Sequence, residues 1–284
     1  MMQPIRRLLL CAALACASLY AVPAAAQAKL KVAADVGYSP FFVRNADGKL
    51  EGFSFELANE VARRMGYSGA EVVDTPFSAI FAGLFSKRFD MIVAPTNITA
   101  ERAAQMLFTE PYMPTGIGFL ARKGAKLDNL AELKGKVIAV NNGSFSDKWL
   151  QENQAKYGYE VQRFNKNSDA VQAVMIGRAF ANLAETPVVR FIARDNAATA
   201  VVFTVTTGTN FGFALRKDEV EMRNKADMAL ECMKHDGSLS KLHQKWFGVP
   251  ADPDSSMTKI YPGYGTPGFE GYDPTEHALN CGKP

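Results

Sequence analysis

The chain has 284 residues, of which 48% are hydrophobic and 21% charged, and its formal net charge at pH 7 is +3. This length is enough for one large domain or two modest ones. A charge so close to zero gives no electrostatic reason to expect nucleic acid as a partner.

The N-terminus has the pattern of a targeting signal. Residues 1–7 are basic, residues 8–20 are apolar, and Ala24, Ala25 and Ala26 resemble a small-residue cleavage site. The apolar stretch is too short for a permanent membrane span. We therefore expect a signal peptide over residues 1–26, cleaved before Gln27, which would leave a net charge of +1. Cys11 and Cys16 lie in poor matches to a lipoprotein signal, so a soluble product is expected.

Strands and helices alternate after the signal. Apolar runs predict strands at 30–34, 70–74 and 90–94, and apolar residues at helical spacing predict helices at 55–65 and 78–86. Asp47-Gly48 predicts a hairpin turn between the first strand and the first helix.

The pattern then restarts in a second unit of similar size. Strands are predicted at 136–140, 159–164 and 181–184, with helices from about 145 and at 168–176. A strand at 211–215 and helices at 220–235 and 239–246 follow. This alternation indicates an α/β architecture with a largely parallel sheet.

Three segments, TNITAER at 96–102, GFSFEL at 52–57 and KWFG at 245–248, stand in an order and spacing that resemble the periplasmic solute-binding proteins of amino-acid ABC transporters. The similarity extends from about Leu30 to Gly248. It implies a type II periplasmic-binding-protein fold with two lobes, in which the chain crosses near 117–119 and near 211–213. Lobe 1 would then comprise 27–117 and 213–248, and lobe 2 would comprise 118–212.

The resemblance gives Arg102 the role of binding a ligand carboxylate. Arginine suits this role because its planar guanidinium can donate two parallel, charge-assisted hydrogen bonds. An isolated arginine at this spacing would instead be read as a surface residue at a helix start. Asn97 stands where family members usually have a hydroxyl residue, and its amide can donate a hydrogen bond to the same ligand.

Glu185 stands where the family usually places an aspartate that binds the ligand ammonium. A glutamate keeps the charge but extends one methylene further, so the ligand could differ from a standard amino acid; the alternative is a solvated acid at a strand end. Ser144 follows Gly143 at a predicted helix start, where free N–H groups favour an anion. An ordinary N-cap serine would explain Ser144 equally well.

Four further residues are candidates for contacting the ligand side chain. Tyr38 and Phe77 match positions whose rings sandwich that side chain in the family, although each could be a core residue. Asp35 could receive a cationic or amide group, or only orient its loop. Asn141 could select the distal group. By contrast, the segment 52–57 is assigned to packing and capping of the first helix.

The chain after residue 248 departs from the family pattern. Residues 249–284 are rich in proline and glycine, which disfavour helix and inner strand, and they include aromatic residues that argue against free disorder. Cys232 and Cys281 are the two cysteines outside the signal, and in an oxidising compartment such a pair usually forms a disulfide. Metal binding is the weaker interpretation. A disulfide would hold this extension over lobe 1.

We therefore predict a periplasmic, monomeric protein that binds an amino acid or related carboxylate and delivers it to an ABC permease. No cofactor, metal or catalytic residue is predicted. One alternative is an enzyme on the same scaffold, similar to cyclohexadienyl dehydratases, but these carry a second acid where Val188 stands. Another is an accessory or sensor protein whose extension docks a partner; deleting 249–284 would test it.

Overall fold

The computed structural model describes residues 27–282, and the predicted signal peptide lies outside these residues. Within this described range, eight strands form one continuous sheet with the order β4-β1-β5-β11-β7-β10-β8-β9, and β6 pairs with β11 beside this path. The strands of this sheet are β1 (Leu30–Ala34), β4 (Ala70–Asp74), β5 (Met91–Asn97), β6 (Leu107–Phe108), β7 (Met113–Arg122), β8 (Val137–Asn141), β9 (Glu160–Phe164), β10 (Ala181–Glu185) and β11 (Thr199–Leu215). A small hairpin of β2 (Val43–Arg44) and β3 (Leu50–Glu51) surrounds the predicted Asp47-Gly48 turn.

Between residues 27 and 282, eight helices flank the sheet: α1 (Phe53–Arg64), α2 (Phe77–Phe85), α3 (Ala100–Ala103), α4 (Phe145–Tyr157), α5 (Asn167–Met175), α6 (Thr186–Asp195), α7 (Val220–His235) and α8 (Ser238–Phe247). A short 3-10 helix covers Leu130–Leu133. Within the described part of the chain, no helix is both long and apolar enough to cross a membrane.

The sheet divides into two parallel groups joined by two long antiparallel strands. β1 pairs in parallel with β4 and β5, and β8 pairs in parallel with β9 and β10. Between these groups β7 and β11 pair with each other in antiparallel register, with irregularities between Val201 and Phe203 and between Val205 and Thr209. The fold is therefore the two-lobed type II architecture with a double crossover, as predicted. The exact lobe boundaries remain a prediction.

Separate apolar cores support the two lobes. One core contains residues such as Val32, Leu57 and Leu230, all fully buried, and another contains Ile138 and Leu183. Burial of such side chains stabilises each lobe by roughly 1.5–3 kcal/mol per residue. Two cores joined by two strands are the arrangement that allows hinge motion.

The prediction was wrong where hinge elements carry unusual residues. No strand was predicted over β7, because Pro114, Gly116 and Gly118 are residues that are uncommon inside a strand. The strand predicted at 211–215 is the end of the 17-residue β11. Helix α6 was also missed, although Pro187 in its first turn is a typical helix start.

Segments 52–57 and 245–248, two of the three on which the family resemblance rests, lie against each other. The Glu56 carboxylate accepts hydrogen bonds from Lys245 Nζ at 2.7 Å and from Trp246 Nε1 at 3.1 Å. The rings of Phe53 and Phe247 contact each other with centroids 5.6 Å apart. The predicted packing role is therefore present, but the predicted capping is not, because no side chain caps α1 at Gly52.

The C-terminal extension lies on lobe 1 and is cross-linked to it by the Cys232–Cys281 disulfide. Beneath it, the fully buried Lys234 ammonium lies 2.7 Å from the Glu110 carboxylate and also donates to the Lys259 carbonyl at 2.9 Å. Asp227, also fully buried, accepts hydrogen bonds from the main-chain N–H groups of Glu110 and Gly265. Polar and covalent contacts together fix the extension in place.

Candidate functional site

The candidate residues converge because they follow the carboxyl ends of parallel strands. Asp35 follows β1, Asn141 and Glu185 end β8 and β10, and all three are almost completely buried. In open α/β sheets ligands bind at this edge of the strands. A narrow cavity between the lobes is lined by the side chains of Asp35, Tyr38, Phe77, Asn141, Ser144 and Glu185, together with Ala94 and Pro95.

Arg102 is positioned by the short helix α3, whose N-cap Thr99 accepts a hydrogen bond from the Arg102 N–H. Its guanidinium donates to the Asn97 carbonyl at 3.1 Å and stacks near two rings, 5.5 Å from the centroid of Phe77 and 5.1 Å from that of Phe81. Within residues 27–282 it forms no ion pair with a carboxylate. Burial lowers the pKa of Arg102 to about 10, and the charge of Glu185 partly opposes this shift. Arg102 therefore remains cationic and retains donors for an anion.

Glu185 and Tyr38 face each other across the cleft. The Tyr38 hydroxyl donates a hydrogen bond to Glu185 Oε2. Burial raises the pKa of Glu185, while this hydrogen bond and the charge of Arg102 oppose the rise. Burial and the neighbouring carboxylate also raise the pKa of Tyr38, which therefore stays protonated at neutral pH. An anionic Glu185 in this position can bind an ammonium group.

Asp35 is engaged by donors from both lobes. Its Oδ2 accepts hydrogen bonds from the Phe77 N–H and from Asn141 Nδ2, each at 3.3 Å. Its Oδ1 lies 2.8 Å from Lys166 Nζ, and the same ammonium lies 2.7 Å from Asp74 Oδ1. Burial raises the pKa of Asp35, an effect that Lys166 opposes. Asp35 is therefore part of an ion cluster between the lobes.

Ser144 is the N-cap of α4, and its hydroxyl accepts a hydrogen bond from the Asp147 N–H at 3.0 Å. The capping role is thus present, and the same residue lines the cavity. Gly143 adopts φ +74°, and a Cβ on it would lie 3.2 Å from the Cα of Ser78 in α2. A side chain at this position would press α4 away from α2, so glycine permits the close approach of the lobes.

Asn97 lies beside Arg102 but is directed to the hinge. Its side-chain amide donates to Thr209 Oγ1 at 3.1 Å, and Thr209 belongs to β11. The structure thus places Asp35, Tyr38, Phe77, Asn141, Ser144 and Glu185 around one cavity. Arg102 lies next to it against Phe77, and Asn97 contributes its carbonyl to Arg102.

The sequence did not predict the cavity-lining residues Ala94 and Pro95, nor two residues that contact charged groups of the site, Phe81 and Lys166. Phe81 lies one helical turn after Phe77 on α2, so their spacing of four was an available signal that both rings share a face. Lys166, the residue before α5, gave no signal, because its role depends on how the lobes meet.

A two-lobed α/β fold with buried acids at the strand ends and an arginine beside them is the arrangement expected of a solute-binding protein. The family model of the bacterial extracellular solute-binding proteins, family 3, matches residues 30–249. The chain belongs to this family, which confirms the predicted resemblance. Most of the C-terminal extension lies beyond the matched residues.

Two curated relatives illustrate the range of ligands in similar proteins. The chain is 31% identical to the L-cystine-binding protein TcyJ of Escherichia coli strain K12, over 75% of this chain and 80% of that protein. It is 30% identical to the arginine-binding extracellular protein ArtP of Bacillus subtilis strain 168, over 82% of this chain and 91% of that protein.

Two solved structures have the same fold. An ancestral arginine-binding protein bound to arginine is 32% identical, with a TM-score of 0.73 over 78% of this chain and 100% of that chain. The ancestral amino acid-binding protein AncCDT-1, a precursor of cyclohexadienyl dehydratase, is also 32% identical, with a TM-score of 0.72 over 77% of this chain and 95% of that chain.

Proposed function

We propose that this protein binds an amino acid between its lobes in the periplasm and presents it, as a monomer, to the membrane permease of an ABC transporter. The observation that carries the proposal is the pair of opposite charges at the cleft, the guanidinium of Arg102 and the buried carboxylate of Glu185. A zwitterion needs one partner for each of its charges, because an unpaired buried charge costs several kcal/mol.

Each group of the ligand then has a partner in the site. Arg102 binds the α-carboxylate, with N–H groups at the start of α4 beside Ser144 as further donors. Glu185 binds the α-ammonium in place of its present hydrogen bond from Tyr38. Phe77 and Tyr38 enclose the aliphatic or aromatic part of the side chain. The hinge strands β7 and β11 allow the lobes, with boundaries near 117 and 213, to open for entry.

We propose that the protein is not an enzyme. The position where a dehydratase of this scaffold would carry a second acid is Val188, which is fully buried in α6. The relatives named above include binding proteins for cystine and arginine, which supports transport of a polar amino acid.

Thermal unfolding of the purified mature protein with a panel of L-amino acids tests the proposal. A ligand present at 100 times its dissociation constant stabilises a protein by about 2.7 kcal/mol. Glutamine, cystine, histidine and arginine belong in the panel with non-amino carboxylates and simple amines as controls. At least one amino acid is expected to raise the melting temperature while the controls do not. No shift with any amino acid would contradict the proposal.

A further inference from the structure

The carboxylate of Asp35, in the binding cavity, already has a cationic partner from the protein itself. Lys166 projects from the start of α5 in lobe 2 and places its ammonium 2.8 Å from Asp35 Oδ1, which follows β1 in lobe 1. Asp35 is 2% exposed. A lysine therefore occupies the position in which a buried acid would otherwise meet a charged ligand.

Protein donors also engage the other carboxylate oxygen of Asp35, Oδ2. Its second oxygen accepts the Phe77 N–H and the Asn141 amide, each at 3.3 Å. A guanidinium or ammonium arriving in the cavity would have to displace Lys166 or share Asp35 with it. Sharing would bring two cations together in a partly desolvated site, where like charges repel strongly.

Lys166 is held in this position by a second acid. Asp74 Oδ1 lies 2.7 Å from its ammonium and also accepts the Val36 N–H at 3.1 Å. Burial lowers the pKa of Lys166, but its contacts with Asp35 and Asp74 outweigh this and raise it overall, so Lys166 stays charged. Asp74 is 44% exposed at the rim, where solvent screens it.

Among the side chains that line the cavity, Asp35 therefore has a cationic partner before a ligand enters, while Asp74, the second acid on Lys166, lies outside the cavity at the exposed rim. Asp35 is paired with Lys166, and Arg102 and Glu185 remain for the two charges of the amino-acid backbone. A ligand with a neutral side chain preserves this pairing, whereas a cationic side chain adds an unpaired charge.

We propose that Lys166 is a specificity-determining residue that neutralises Asp35 and biases the site toward amino acids with neutral polar side chains over arginine and lysine. The inference rests on the proposed function and narrows its ligand class. The proposed preference for neutral side chains distinguishes this chain from the relatives named for arginine. The fold and Arg102 are nevertheless those expected of the family.

Isothermal titration of the mature protein with L-glutamine, L-cystine, L-arginine and L-lysine tests this assignment. The wild type is expected to bind glutamine, whose side chain is uncharged, at least tenfold more tightly than arginine or lysine. Cystine, whose distal half carries both an ammonium and a carboxylate, tests a side chain that is charged but neutral overall. Lys166→Met is expected to shift the ratio of arginine to glutamine affinity by roughly tenfold or more toward arginine, because it removes one like charge at close range. Lys166→Arg, which keeps the charge, is expected to retain the wild-type preference.

Lys148→Met is the matched control. Lys148 also pairs across the lobes, with Glu101, but both side chains are more than half exposed and neither contacts Asp35. Its loss is expected to leave the preference unchanged. Should Lys166→Met fail to fold, Lys166→Gln removes the same charge.

Two outcomes overturn the assignment while leaving amino-acid binding intact. One is a wild type that binds arginine as tightly as glutamine. The other is a Lys166→Met protein whose affinities for all four ligands change by the same factor, which would make Lys166 a contact between lobes without selectivity. A wild type that binds no amino acid would contradict both this inference and the proposed function.

Discussion

Replacing Cys281 with serine is expected to lower the stability of the protein while preserving its fold. Cys281 is exposed near the end of the extension, and its disulfide partner Cys232 is buried in α7. The contacts of Lys234 with the Lys259 carbonyl and of Asp227 with the Gly265 N–H remain after the substitution. The extension should therefore stay on lobe 1, held without its covalent link.

The magnitude follows from the length of the loop that the disulfide closes. The two cysteines are 49 positions apart, and the loss of loop entropy in the unfolded chain then corresponds to about 4 kcal/mol at 25 °C. For a protein of this size each kcal/mol lowers the melting temperature by about 2–4 °C. The expected decrease is thus about 8 °C or more.

Circular dichroism during heating measures this decrease, with Asn280→Ser as the control at a neighbouring exposed position. In the presence of a reductant, the wild type should unfold at the same temperature as the Cys281→Ser variant. Below its melting temperature, the variant should bind the ligand with the same affinity as the wild type. A melting temperature within about 2 °C of the wild type would refute the reasoning. Loss of the folded near-ultraviolet spectrum at 25 °C would also refute it, because the polar contacts would then be insufficient.

Two further predictions concern buried charges. Lys234→Met leaves the Glu110 carboxylate buried without its cation, so it should lower the free energy of unfolding, measured in denaturant, by about 3–5 kcal/mol. Lys225→Met removes a lysine from an exposed pair with Glu221 and should have no measurable effect. Equal effects of the two substitutions would contradict a stabilising role for the buried pair. Because burial raises the pKa of Glu185, amino-acid affinity should fall as the pH is lowered and the carboxylate becomes protonated, at a higher pH than for a free glutamate. Titration calorimetry should show that Glu185→Gln binds roughly tenfold or more weakly and loses this pH dependence; an unchanged pH profile would exclude Glu185 as the ammonium partner.

The sequence predicts most of the fold because its local patterns agree with the tertiary structure. The apolar run of β1 and the helical spacing of α7 were both found, and α7 (Val220–His235) begins and ends as predicted. The hinge strands were missed or shortened, because β7 contains Pro114 and two glycines and β11 alternates threonines with apolar residues. Such strands are stabilised by pairing with each other, which a local pattern does not show.

Some residues of the candidate site were likewise predictable from local sequence, and others were not. Asp35, Asn141 and Glu185 were predictable because they follow apolar strands whose carboxyl ends meet at one edge of the sheet. The partner of Asp35 was not, because Lys166 comes from the opposite lobe, 131 positions away, and its contact depends on lobe closure. Local sequence identifies which residues carry charge, while the packing of the lobes decides which charges remain free for a ligand.

Titration calorimetry of Arg102→Ala, beside the wild type, with the amino acid that most strongly stabilises the protein is the most direct test of the proposed binding function. Truncating one partner of a buried charged pair costs about 2–5 kcal/mol, so the affinity is expected to fall by roughly thirtyfold or more. Phe85→Ala, at an exposed residue of α2, serves as the control and should bind like the wild type. An Arg102→Ala protein that folds and binds the same amino acid with unchanged affinity would contradict the carboxylate role of Arg102 and the proposed binding mode.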